Sequence, residues 1–457
     1  MFKLRSVNPS DYQVLGEVEI STADEVAEKV RLAHAIQKTW AHLGVGARVK
    51  LLRRAMEDFE SKKAEFALLE SREMGMPINE TRADYAGVFD FIGWYLDKAE
   101  TYLGPETTFE NETEIHQVFR EPIGVAAVII PWNYPFLNFV WGTFQSLLAG
   151  NAVVLKHSEE VPLCGKLIEN VMVRHLPKGV FSEVYGAGDV GQMLVEQDIN
   201  LLHFVGSTRT GKRLYESAGK KFIKAVMELG GSAPGIVFGD ADIDAAVASI
   251  RDFRLSNNGQ YCDGLKRLLV HESAWLEVCE KLVAIFSARK VGVAEDETTE
   301  SGPLVAKRQL DLLIEQVEDA SDQGAAVEVG GRSLENELGG AFFQPTVLTG
   351  IQSQMRVWQE EVFGPVLPMV PFRSEEEAIR LANDNAYGLG SYVYTEDLER
   401  AQRVARQIQS GMVSINGRNY TTPWNPFGGY KGSGMGREHG KYGFREVTQM
   451  KVVARPK

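Results

Sequence analysis

Between residues 124 and 238, short apolar runs alternate with amphipathic stretches, and this alternation restricts the fold more than any other feature. The runs fall at 125–130, 152–155, 180–185, 201–205 and 233–238. Each is apolar throughout, as a strand buried on both faces must be. Parallel strands joined by helices bury both faces, so the pattern predicts an α/β sheet covered on each side. A second α/β stretch is expected over about 240–425.

Upstream, Ser21-Thr22-Ala23-Asp24 reads as a capping box, and apolar residues recur at Val26, Val30, Ala33, Ile36 and Trp40. Helical periodicity continues over 50–74 and 78–102, so the first hundred residues are expected to be mostly helix. From 107 to 120 polar and apolar residues alternate around Asn111-Glu112, which predicts a protruding two-stranded ribbon. A glycine-dense run occupies 427–436, and 449–454 reads as a strand. With 457 residues the chain exceeds one core and divides into two or three.

Forty-nine basic against 62 acidic residues give a net charge of −13, which repels phosphate backbones and excludes a nucleic-acid partner. The N-terminus lacks the apolar core of a signal peptide. Nothing reaches the ~18 uninterrupted apolar residues of a membrane span. Three scattered cysteines make neither a disulfide framework nor a zinc site, so no metal and a cytoplasmic location are expected.

Of these cysteines, Cys164 and Cys279 lie in helix-like runs and read as core. Cys262 lies among amides and glycines in the segment 257–264, where a small-molecule carbon can reach its sulfur. Glu228 stands in the Met227–Gly231 run, and Asn133 in the PWNYP stretch at 131–135. A soft nucleophile, a carboxylate and a carboxamide in such turns are the parts of thiol-based acyl chemistry. The GAGDVG stretch at 186–191 matches the dinucleotide glycine pattern but lacks the acidic residue about 20 positions on. It reads as a structural turn. Gly206 and Ser207, opening a helix after a strand, are better placed to meet phosphate. A third strand delivers Lys156 and Glu159 to its C-terminal edge, where a carboxylate could chelate ribose hydroxyls.

Seven motifs in order make the chain resemble the aldehyde dehydrogenase superfamily, most closely its short bacterial succinate-semialdehyde branch. They are PWNYP (131–135), KHSE (156–159), FVGS (204–207), ELGG (228–231), GQYC (259–262), EVFGP (361–365) and PFGG (426–429). The resemblance implies a Rossmann-like cofactor domain over 1–103 and 123–229 and an α/β catalytic domain over 230–427. It also implies a small β oligomerisation element from 104–122 and 428–457, giving a homodimer or homotetramer. Cys262 would attack an aldehyde, the Asn133 amide and the Cys262 N–H would hold the oxyanion, and Glu228 would activate water. Lys156, Ser158 and Glu159 would meet the adenine ribose, and Gly206 and Ser207 the pyrophosphate. Glu361 and Phe363 would place the nicotinamide end, with Pro131, Trp132 and Leu229 completing the cofactor wall. NAD is the expected cofactor, with NADP accepted. Retention of Glu228 implies release of a free acid, since branches acylating coenzyme A generally lack it.

The aldehyde side is expected to be lined by Trp141, Tyr261, Asp263 and Arg418, with succinate semialdehyde as the first substrate. Asp263 opposes an anionic substrate unless Arg418 offsets it. The alternatives are a neutral aliphatic or aromatic aldehyde, or a structural protein that keeps the fold without turnover.

Overall fold

The computed structural model describes residues 2–457. Two strands, Lys3–Val7 and Val14–Glu19, form an antiparallel hairpin ahead of the first helix. Their mixed, half-exposed residues carry no clear period, so this hairpin was not expected within a mostly helical first hundred residues. Helix Ala23–His42 is capped by Thr22, whose side chain accepts the Glu25 N–H while the Glu25 carboxylate accepts the Thr22 N–H. The box therefore begins one residue later than expected, where the Thr-x-x-Glu spacing is met. Val26, Val30, Ala33 and Trp40 are buried along its inner face. The periodicity over 50–74 belongs to two helices, Val45–Ser61 and Lys63–Met74, broken at Lys62. Helix Ile78–Leu103 follows.

The first large sheet has the order Gly434–Met435, Lys224–Glu228, Leu201–Val205, Val125–Ile129, Ala152–Lys156, Phe181–Glu183. All its strands are parallel except the first. The register aligns Ile129 with Lys156 and Phe204, and Val205 with Glu228. The chain leaves Val125–Ile129 in one direction and later returns on its other side. The loops after Ile129 and Val205 therefore flank a topological switch point, where open α/β sheets bind ligands.

The apolar run at 233–238 does not join this sheet. Strand Ala233–Val237 lies in a second, seven-stranded sheet, beside Leu265–His271 and Tyr392–Tyr394. Both strands are buried on both faces, so their sequence does not say which sheet they join. The strand that ends the parallel part of the first sheet instead is Lys224–Glu228, whose exposed Lys224 hides its character.

The ribbon forms as Glu106–Glu110 and Glu114–Pro122. The tail strand Thr448–Pro456 pairs with Glu114–Pro122 of the same chain over nine residues, making a three-stranded sheet. Of the region 428–457 only this strand joins that sheet. Gly434–Met435 returns to the first sheet with Gly434 opposite Glu228, because glycine alone tolerates the close backbone there.

Behind the PWNYP loop, helix Pro135–Ala149 is buried along almost its whole length. Phe136 stacks on Tyr85 at 4.8 Å and packs at a tilt against Phe59 and Phe66. Rings of this size contribute a few kcal/mol each by burial. They hold the loop still.

Candidate active site

The C-terminal edge of the first sheet faces the N-terminal edge of the second. Glu228 ends a strand of one, and Cys262 lies three residues before a strand of the other. Between them is a cavity of about 410 Å³. Its walls include Pro131, Trp132, Asn133, Trp141, Gly206, Ser207, Glu228, Leu229, Tyr261, Cys262, Asp263, Glu361 and Phe363. Thirteen expected positions scattered over 230 residues of chain thus converge.

The turn before Cys262 is forced. Asn257, Asn258 and Gly259 all take positive φ, at 46°, 55° and 71°. Two successive non-glycine residues there cost energy and persist only when neighbours fix them. Glu80 accepts the Asn257 N–H at 2.7 Å, and the Asn258 amide donates to the carbonyls of Gly302 and Pro303. Tyr134, at φ 50°, makes a similar corner ahead of helix Pro135–Ala149, and the Asn138 amide donates to the Asn133 carbonyl at 2.7 Å.

Burial pushes the Cys262 thiol well above its ordinary range, with Asp263 adding to the shift and Lys266 opposing it. The Asp263 carboxyl lies 3.9 Å from the sulfur and is itself pushed up by burial. Glu228 is buried, neither of its carboxylate oxygens has a hydrogen-bond partner, and burial together with the charge of Glu438 raises its pKa well above normal. An unpartnered buried carboxyl is costly and marks a site held for chemistry.

Glu361 accepts the Gly231 N–H at 3.1 Å, and its carboxylate lies 3.2 Å from the Lys266 ammonium. Trp132 and Phe363 meet edge to face at 5.3 Å, closing the gap between the two sheets. Ser207 caps helix Thr208–Lys221 through the Thr210 N–H alone. The earlier N–H groups of that helix start stay available to an anion.

Lys156, Ser158 and Glu159 lie outside the cavity wall, at the end of the adjacent strand Ala152–Lys156. The Lys156 ammonium is buried, its pKa lowered by that burial, and it stands 3.9 Å from the half-exposed Glu159 carboxylate. His157 is buried and bonded to Glu183. The open helix start, the buried amine and the two carboxylates, spread along one sheet edge, fit the phosphates and riboses of a dinucleotide. In the GAGDVG run, Gly186 folds against Val190 and Gly191 packs on the Lys156 stem, as a structural turn would.

Arg418 does not reach the cavity. Asn416 and Gly417 both take positive φ, and this corner leaves Arg418 exposed while Tyr420 and Thr421 face inward. The sequence reading also missed Lys266, Phe253, Gln309 and Tyr420. For Lys266 there was a signal: a lone lysine near the start of an otherwise buried strand, LKRLLVH.

The family model described as "Aldehyde dehydrogenase family" matches residues 2–453. An NADP(+) succinate-semialdehyde dehydrogenase from Deinococcus radiodurans is 36% identical, covering 98% of this chain and 94% of its own. Aminoaldehyde dehydrogenase 1 of Pisum sativum is 34% identical, over 99% and 92%. A solved betaine aldehyde dehydrogenase from Staphylococcus aureus, in complex with NAD+, superposes with a TM-score of 0.95 at 31% identity, over 99% and 91%. With a family match over nearly its full length and this constellation of thiol, carboxylate and dinucleotide edge, the chain belongs to the aldehyde dehydrogenase family and is an NAD(P)-dependent aldehyde oxidoreductase.

Proposed function

We propose that the chain oxidises an aldehyde to the free carboxylic acid with Cys262 as nucleophile and Glu228 as general base. The observation that carries this reading is the convergence of Cys262, an unpartnered Glu228 and Asn133 on one cavity. The Cys262 thiol gives its proton to water, and the thiolate sulfur bonds to the aldehyde carbon as the carbonyl π pair moves onto oxygen. The oxyanion that forms accepts hydrogen bonds from the Asn133 amide and the Cys262 N–H. NAD(P), when bound, would supply the acceptor for the hydride lost as that adduct becomes a thioester. The Glu228 carboxylate then takes a proton from water as the oxygen adds to the thioester carbon, and the sulfur leaves.

Lys156, Ser158 and Glu159 are read as the adenine-ribose contacts, and Gly206 and Ser207 as the pyrophosphate contacts. Pro131, Trp132 and Leu229 form the wall, and Glu361 and Phe363 the nicotinamide end. Glu159 favours NAD, and the nearby Lys156 lets NADP bind as well.

The names of the relatives diverge over the aldehyde, and the cavity favours one without a carboxylate tail. Asp263 faces into it, Arg418 faces away, and Arg308 at the wall is already engaged by Glu160 at 2.8 Å. Tyr134, Trp141, Phe253, Tyr261 and Tyr420 supply rings suited to an apolar aliphatic or aromatic tail. Succinate semialdehyde, first in line from the sequence, ranks below these. The three-stranded sheet is read as the contact of a homodimer or homotetramer, since its outer strand exposes Met450 and Val452 beside an unpaired edge.

Absorbance at 340 nm with hexanal, benzaldehyde and succinate semialdehyde tests both parts. NAD(P)H formation by wild type and none by Cys262→Ser is expected, with kcat/KM lowest for succinate semialdehyde. Turnover by Cys262→Ser would remove the chemistry, and a preference for succinate semialdehyde would remove the substrate reading.

A further inference from the structure

Lys266 has no solvent-exposed side-chain surface. Its ammonium donates to the Tyr261 carbonyl at 2.6 Å and the Cys262 carbonyl at 2.7 Å, and stands 3.2 Å from Glu361 Oε1. It also lies 5.4 Å from the centre of the Phe363 ring. Burying a cation is costly unless each hydrogen finds an acceptor. Here two carbonyls accept its hydrogens and the Glu361 carboxylate offsets its charge. A strand position that only had to pack would carry a β-branched or aromatic residue instead. The lysine does something that an apolar side chain cannot.

We propose that Lys266 is a positioning residue for the acyl chemistry, fastening the nucleophile turn to the Glu361 carboxylate and strengthening the Cys262 N–H as an oxyanion donor. The inference rests on the reading of Cys262 as nucleophile. The Tyr261 carbonyl and the Cys262 N–H are two ends of one peptide. A charged donor on the carbonyl draws electrons from the amide and makes its N–H more acidic, so it donates more strongly. The grip on the Cys262 carbonyl stops the residue rotating. The contact with Glu361 carries the same constraint to Gly231, whose N–H shares that carboxylate oxygen. One ammonium thus joins the end of the Glu228 turn, the nucleophile and the carboxylate read as the ribose contact.

The charged groups facing the thiol are Asp263, Glu361 and Glu228, which disfavour a thiolate, and Lys266, which favours it. From helix Ile243–Leu255, Arg254 faces Lys266, and its guanidinium donates to the carbonyls of Leu265, Val362 and Gly364. Lys266 is therefore the cation that offsets the three carboxyls.

The test is the pH dependence of Cys262 alkylation by iodoacetamide, without cofactor and with Cys262→Ser as the background. In Lys266→Met the profile should move to higher pH, and alkylation at neutral pH should slow by about tenfold or more. Its kcat should fall further than its KM for aldehyde rises. A lower melting temperature with an unmoved alkylation profile would reduce Lys266 to a packing role and overturn the proposal. Glu361→Gln keeps the shape and removes the opposing charge, so it serves even if Lys266→Met does not fold. Its profile should move to lower pH, and no movement overturns the link. If Cys262→Ser abolishes turnover while both profiles stay in place, the positioning role fails and the nucleophile assignment stands. Turnover by Cys262→Ser would remove both.

Discussion

Gly231 packs its α-carbon directly against the peptide of Cys262: a methyl group there would lie 2.5 Å from the Cys262 carbonyl oxygen and 3.1 Å from Leu389 Cβ. Three residues earlier the same turn carries Glu228. Glu228 and Cys262, the proposed base and nucleophile, are thus spaced by one backbone contact between two sheets. Gly231→Ala should push the nucleophile turn aside and cost about tenfold to a hundredfold in kcat, as small misplacements do. Steady-state kinetics beside far-ultraviolet circular dichroism checks this. An unchanged kcat in a folded variant refutes it.

Glu228→Gln should spare acylation and damage deacylation, so a single-turnover burst of NADH survives while the steady rate falls. The sign of the pH dependence follows from the raised pKa. Only the ionised form accepts water's proton, and burial with the charge of Glu438 keeps the group protonated beyond the ordinary carboxyl range. Deacylation by wild type should therefore rise with pH from that range upward. Stopped-flow traces at several pH values with Glu228→Gln, whose slope should be flat, make the comparison.

Asn133→Ala removes the amide proposed to hold the oxyanion while Asn138 still holds the backbone carbonyl of that position. A loss of roughly 10²–10³-fold in kcat is expected. A loss below fivefold would mean that the backbone donor suffices.

Glu159 stands 3.9 Å from the Lys156 ammonium and is half exposed. A 2′-phosphate beside it would meet one like charge and one opposite charge. Wild type should favour NAD without excluding NADP, and Glu159→Ser should move the ratio of kcat/KM towards NADP. A wild-type preference for NADP, or an unmoved ratio, shows that Glu159 does not read the ribose.

His439 is fully buried between the Trp141 ring, at 4.2 Å, and the Tyr95 hydroxyl, at 2.5 Å from Nδ1. Burial lowers its pKa to about 4. The unfolded chain takes up this proton below about pH 6.5, and the folded one does so only near 4. The stability that comes from excluding the proton is complete above pH 6.5 and is lost as pH falls towards 4, by about 3 kcal/mol in all. Denaturant unfolding of wild type and His439→Gln between pH 7 and 4 should show a steeper decline for wild type.

The parallel sheet and the motifs were legible because uniformly apolar strands and turn glycines leave local patterns. Thirteen of seventeen expected site residues line the cavity, and Lys156, Ser158 and Glu159 stand on the neighbouring strand edge. Arg418 could not be placed, since its direction depends on two left-handed residues before it. The assignment of Ala233–Val237 to the second sheet was hidden because a strand buried on both faces looks the same in either. Tyr420 and Gln309 entered the wall through tertiary packing that no local spacing announces.

The left-handed Asn257–Asn258–Gly259 corner is pinned by Glu80 from a helix far upstream, by the carbonyls of residues 302 and 303, and by Gly364, whose carbonyl leaves no room for a side chain at Gly259. The sulfur is therefore suspended from three remote parts of the chain, like a keystone set by its abutments. Displacing any of those anchors would therefore move the sulfur without altering the cavity wall. Damage at Glu80, which never meets the aldehyde, should surface as a catalytic defect before the protein loses its fold.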